Sequence, residues 1–170
     1  MHLILLTVPL PRYDQRTCLT GLCNPLEMLL FNLTIHHLWG RVLAKFQDAR
    51  AVAYADDGYI KAKLSVALQV LAELKAVFKA DAGLELNVSK TSILPKGITS
   101  QAAFDMAQTI MQATPTLAHL SNDVLLDSFC PEGFIGIGVP IGTDAFVQSF
   151  VAKTCRDICL IIVVFYNSST

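Results

Sequence analysis

The chain has 170 residues, which suits one domain with enough volume to bury a core. Hydrophobic residues make up 53% and charged residues 16%, which excludes a disordered or low-complexity chain and leads to the expectation of a partner surface or of missing neighbouring segments. The net charge of −1 is a poor fit to a free-standing nucleic-acid binder, so weak or no nucleic-acid binding is expected of the chain alone. Cys18, Cys23, Cys130, Cys155 and Cys159 form no Cys-x-x-Cys pair, and the histidines lack zinc-ligand spacing. An odd cysteine count without a credible signal peptide predicts an intracellular protein of nucleus or cytoplasm, not a secreted one.

In chain order, residues 1–20 begin with a short apolar, strand-like stretch and pass into Pro-Arg-Tyr-Asp-Gln-Arg. Asp14 in that polar run reads as a solvated loop residue. Residues 24 to about 46 read as a long helix. Asn24 can cap it, Pro25 suits the first helical position, and Glu27 completes a capping box. Leu26, Leu29, Leu30, Leu33 and His37 fall on one stripe, which is expected to face the core, with Leu38 and Val42 nearby. His36 and His37 point about 100° apart around a helix, so they read as surface or packing residues.

Residues 51–61 read Ala-Val-Ala-Tyr-Ala-Asp-Asp-Gly-Tyr-Ile-Lys. An Asp-Asp-Gly run between β-formers is a hairpin signal, because Asp and Gly tolerate the backbone angles of tight turns. Adjacent carboxylates repel, and the usual remedy is a divalent cation held by oxygen ligands, Mg²⁺ above all. A solvated turn without a ligand is the other reading of the same residues. Residues 63–80 read as the next helix, with Leu64, Leu68, Leu71, Leu74 or Lys75, and Phe78 at helical spacing as core and Gly83 as its stop. A strand is expected around residues 91–94, closed by Pro95.

Thr99 or Ser100 can cap a third helix to about Ala113, with Ala103, Met106, Ala107 and Ile110 as its apolar face. Residues 116–127 carry no clear period, and His119 among them reads as structural. Residues 134–141 read as a glycine-spaced strand or hairpin. Thr143 or Asp144 then caps a last helix bearing Phe146, Val147, Phe150, Val151 and Ile158. The apolar run of residues 158–166 is about half of a membrane-spanning length, so no transmembrane helix is expected.

Tyr54-Ala55-Asp56-Asp57, in a hairpin after a long helix, resembles the catalytic motif of reverse transcriptases of the non-LTR retrotransposon type. Asn24-Pro25-Leu26, with Leu30-Phe31-Asn32 after it, is similar to that family's Gln-Gly-Asp-Pro-Leu and Leu-Phe-Asn segment. Leu22, Cys23 and Asn24 stand where the family has Gln, Gly and Asp. Gly83-Leu84-Glu85-Leu86-Asn87-Val88-Ser89-Lys90-Thr91 resembles its Gly-Leu-x-Leu-Asn-x-x-Lys-Thr segment. Gly136 to Thr143 resembles its Leu-Gly-x-Pro-Ile-Gly turn.

The resemblance implies an α+β fold, a partial polymerase palm with an antiparallel hairpin packed against several helices, over residues 21–158. Residues 1–20 and the apolar tail 159–170 are left unassigned. It implies RNA-templated DNA synthesis by nucleotidyl transfer. Asp56 and Asp57 are the catalytic metal ligands for Mg²⁺ or Mn²⁺, and Tyr54, Asn24, Pro25 and Lys90 lie toward primer, nucleotide and phosphates. The partners so implied are an RNA template, a DNA primer and a deoxynucleoside triphosphate, with no membrane. The family's upstream catalytic aspartate has no counterpart here, so the chain by itself is expected not to polymerise. The alternative is a catalytically dead remnant acting only as a protein-interaction module, which the composition also suits.

Overall fold

Alternation of apolar and polar residues in Gly58-Tyr59-Ile60-Lys61-Ala62-Lys63, followed at once by leucines at helical spacing, sets the frame. The computed structural model describes residues 3–9, 25–54, 57–120, 122–136 and 138–167. Its architecture is α+β, and it divides into two units, residues 1–131 and 132–170.

In the first unit a four-stranded antiparallel sheet has the order β2-β3-β1-β4. Its strands are β1 (Leu3–Pro9), β2 (Arg50–Tyr54), β3 (Asp57–Lys63) and β4 (Ser92–Pro95). The apolar start of the chain is thus an inner strand, paired with β3 from Leu3↔Lys63 to Pro9↔Asp57 and with β4 from Ile4↔Pro95 to Thr7↔Ser92. An inner strand is masked from water on both edges, which is why an uncharged run suits it.

Two long helices flank the hairpin in sequence: α1 (Pro25–Leu43) and α2 (Leu64–Ala82). In α2, Leu64, Leu68, Leu71, Leu74 and Phe78 are all buried, as their spacing predicts. Gly83 ends the helix in the left-handed conformation (φ 64°), and its N–H donates to the Lys79 carbonyl at 3.2 Å. The same core holds Ile60, Ala62 and Ile93 from the sheet and Ala103, Ala107 and Met111 from α3 (Ser100–Ala113). Arg41 pairs with Asp81 at 2.6 Å and Lys45 pairs with Glu73, tying α1 to α2 at the surface. Each such pair contributes under about 1 kcal/mol.

Helix α1 corrects the expected stripe. Its core face is Ile35, Leu38, Trp39 and Val42, whereas Leu29, Leu30 and Leu33 are each more than half exposed. Spacing could not separate them, because two overlapping apolar stripes run along this helix and only the sheet beneath it selects one. Met106 of α3 is likewise exposed, whereas Met111 is buried. Thr99 caps α3 by accepting from the Ala102 N–H at 3.3 Å, while the Ser100 hydroxyl donates to the Phe129 carbonyl at 2.9 Å. The stretch without a clear period holds two 3₁₀ turns, Pro115–Leu120 and Leu126–Ser128, which deliver Leu117, Leu120 and Phe129 to the core.

After the second turn the Cys130 N–H donates to the Ile93 carbonyl at 2.8 Å. Burial pushes the Cys130 thiol up, the Asp127 charge adds to this, and a hydrogen bond with Ser92 opposes it. Cys155 is exposed. Iodoacetamide at neutral pH should therefore label Cys155 well before Cys130, with Cys130 labelling gaining as pH rises. Peptide mass mapping checks the order. Because folding favours the protonated Cys130 thiol, its contribution to stability holds at neutral pH and is lost as pH climbs through the raised value.

In the second unit β5 (Gly133–Gly136) and β6 (Val139–Gly142) form an antiparallel pair, and α4 (Asp144–Asn167) follows. Thr143 caps α4 by accepting from the Phe146 N–H at 3.3 Å. The helix runs on through the apolar tail to Asn167, which no glycine or proline interrupts. Among the described residues no helix is long and apolar enough to cross a membrane.

Candidate functional site

The hairpin of β2 and β3 carries the acidic run. Pairing runs from Arg50↔Lys61 through Val52↔Tyr59 to Tyr54↔Asp57. Asp57 is therefore the first residue of β3, with Tyr54 across from it on one side and Pro9 of β1 on the other. Asp56 and Asn24 lie outside the described residues, as do Asp14, Leu22 and Cys23. For Pro25, Tyr54 and Asp57 the backbone alone is described: Pro25 opens α1, Tyr54 ends β2 and Asp57 begins β3.

In β3 Gly58, Tyr59 and Ile60 are all buried, and alternation sets in only after them. Ile60 and Ala62 are buried, and Lys61 between them is exposed. Arg50, directly across from Lys61, is exposed as well. Like charges in direct cross-strand register oppose pairing, by roughly 0.2–1 kcal/mol. This pair closes the end of the hairpin away from the acidic run, four residues along each strand from Tyr54↔Asp57.

Gly58, next after the aspartates, has a reason to be glycine. It is buried, and a Cβ built on it would lie 2.3 Å from Cη2 and 2.8 Å from Cζ3 of Trp39. The far edge of the Trp39 indole thus lies against the backbone at the head of β3. Trp39 is 3% exposed, and its Nε1 has no hydrogen-bond partner among the described residues. Burial of an unpartnered N–H costs about 1–3 kcal/mol. Sequence reasoning passed over Trp39, although its spacing from Ile35 and Val42 marks it as a core position next to the hairpin.

Lys90 ends a 3₁₀ turn (Val88–Lys90) and is exposed. It precedes β4, whose first residue, Ser92, pairs with Thr7 of β1 toward the sheet end where Pro9 of β1 faces Asp57, with β1 between the two strands. Thr91, beside it, is 2% exposed with a hydroxyl that has no partner among the described residues. A surface pocket of about 540 Å³ lies nearby, bounded by Lys75, Lys79, Glu85 and Asp123 over Leu86 and Val88. Its charges are mutually matched, Lys75 with Asp123 at 2.5 Å and Lys79 with Glu85 at 3.1 Å.

Carboxylates are hard oxygen donors, and Asp56 and Asp57 suit Mg²⁺ or Mn²⁺ by that chemistry. Among the described residues no cluster of three or more His, Cys, Asp or Glu side chains could hold a metal. The strand beside Asp57, Leu-Ile-Leu-Leu-Thr-Val-Pro, supplies no further carboxylate. Comparison with protein-family models and with curated proteins returns no match.

Proposed function

We propose that the chain is a palm-type unit of a non-LTR retrotransposon reverse transcriptase, in which Asp56 and Asp57 form half of a metal-binding carboxylate set and polymerisation is absent. The observation that carries this reading is the sheet register. An inner strand, β1, ends at Pro9 directly across from Asp57, so the acidic turn has a neighbouring strand end from which a further ligand could come. That strand end has no acidic side chain to give. When bound, a divalent pair would stabilise charge on the oxygens of a transferring phosphoryl group. The chain's own part is narrower: Asp56 and Asp57 offer oxygen ligands, and the Arg50 and Lys61 pair offers positive charge for a phosphate backbone. Tyr54, Pro25, Asn24 and Lys90 are proposed only as flanking contacts to primer, template or nucleotide.

Paired cations concentrate positive charge, and two carboxylates alone balance it poorly. The test is Mn²⁺ titration of the protein followed by water-proton relaxation, wild type against the double variant Asp56→Ala with Asp57→Ala. Saturable binding in the wild type, lost in the variant, is expected. Equal relaxation curves for the two proteins overturn the metal reading. Extension of a DNA primer on an RNA template with Mg²⁺, lost in Asp56→Ala, would overturn the claim of inactivity instead.

A second reading, a protein-interaction module without catalysis, is favoured by Leu29, Leu30 and Leu33 exposed together on α1, and by Val52, 60% exposed on β2. Its requirement is opposite: replacing those leucines by serine changes association, and replacing the aspartates changes nothing.

A further inference from the structure

We propose that Trp39 is a positioning residue for the acidic turn, its indole fixing the place of Gly58 and so of Asp57 at the head of β3. The atoms of Trp39 closest to a Cβ at Gly58 are Cη2, Cζ3 and Cζ2, the outer edge of the six-membered ring. A phenylalanine at the same place on α1 falls short of that edge. Its gain would be the removal of a buried N–H that has no partner among the described residues. The shape contact is therefore met at the expense of a polar atom, and the contact falls one residue after the aspartates.

The surroundings make the contact rigid. Trp39 belongs to the core face of α1 with Ile35, Leu38 and Val42, all buried. Gly58 is held by pairing on both sides, to Ala53 of β2 and to Val8 of β1. Gly58 is the β3 residue this contact reaches and Asp57 is its neighbour, whereas Ile60 and Ala62 further along β3 are buried in the core. By this route the packing of α1 sets the geometry available to the aspartates. The metal readout of this inference rests on the reading of Asp56 and Asp57 as ligands; the packing readout does not.

Both readouts are taken on the full chain for wild type, Trp39→Phe, Gly58→Ala and the double variant Trp39→Phe with Gly58→Ala. Amide exchange at Gly58, Tyr59 and Ile60 is measured against Ile93 and Leu94 of β4, which report loosening of the sheet as a whole. In Trp39→Phe the hairpin amides are expected to exchange about tenfold faster while those of β4 change little. The double variant, whose added Cβ occupies the space given up by the indole edge, restores slow exchange. Mn²⁺ affinity follows the same order, weakening about tenfold in Trp39→Phe and recovering in the double variant. Gly58→Ala alone, with the indole intact, is expected to weaken Mn²⁺ binding without recovery.

Equal acceleration in β3 and β4, or no change in either, reduces Trp39 to ordinary core and overturns the proposal. Unchanged Mn²⁺ affinity in the folded Trp39→Phe protein does so too. Absence of Mn²⁺ binding in the wild type overturns the metal reading instead, and the exchange pattern then decides the positioning role alone.

Discussion

Phe78→Ala is expected to destabilise the first unit by about 3–5 kcal/mol, the range for removing a buried aromatic side chain from a packed interior. Phe78 is fully buried and lies just before the last turn of α2, on the stripe that also carries Leu71 and Leu74. Its backbone is equally committed: the Phe78 carbonyl accepts the Leu84 N–H at 3.0 Å as the helix closes at Gly83. Alanine leaves that backbone bond available, so the loss comes from transfer and cavity alone. With total domain stabilities of about 5–15 kcal/mol, such a loss removes a large share of the folded state. A denaturant titration measures it through the shift of the midpoint. A shift worth less than about 1 kcal/mol would mean that the core around the α2 stripe collapses onto the gap.

Gly142→Ala is expected to open the β5–β6 pair. Gly142 stands across from Gly133, and a Cβ on it would meet the Glu132 carbonyl oxygen at 2.1 Å and the Gly133 Cα at 2.5 Å. These are backbone atoms, which cannot rotate away as a flexible side chain would. The same Glu132 carbonyl accepts the Thr143 N–H at 2.7 Å, immediately before α4 begins, so the added methyl displaces the acceptor of that bond. Overpacking of this kind costs roughly 1–3 kcal/mol. The readout is amide exchange at Thr143, expected to become fast. Gly138→Ala is the control: Gly138 has φ 72° but open space around it, so it costs only about 1 kcal/mol of backbone strain and leaves the Thr143 bond in place. If Thr143 exchanges alike in both variants, steric closeness at Gly142 is not what holds the hairpin.

Much of the first unit was legible in the residues. Gly83 stops α2 because only a residue without a Cβ enters the left-handed region without cost, and Thr99 starts α3 because its hydroxyl meets an otherwise orphaned N–H. These are local effects, complete within one turn of chain. The misread α1 face is of another kind. Leu29, Leu30 and Leu33 have the same hydrophobicity as Leu38, and their exposure follows from where the hairpin lies beneath the helix. The acidic run was legible as a composition and as a turn, since Asp-Asp-Gly between β-formers states both. Its surroundings were not: the indole over Gly58 comes from a residue nineteen positions earlier, and the strand beside Asp57 comes from the start of the chain.

The sequence by itself thus determined the order of the main helices and strands, the Thr99 and Thr143 caps, the Gly83 stop, the α2 core stripe and the adjacency of the two carboxylates. All of these depend on neighbours within a few residues. Tertiary structure alone decided that β1 is an inner strand, that α1 turns Trp39 inward and its first leucines outward, and that Lys90 stands across β1 from the hairpin. Those outcomes depend on contacts between distant segments, where the free energy of burial goes to whichever apolar face another element covers.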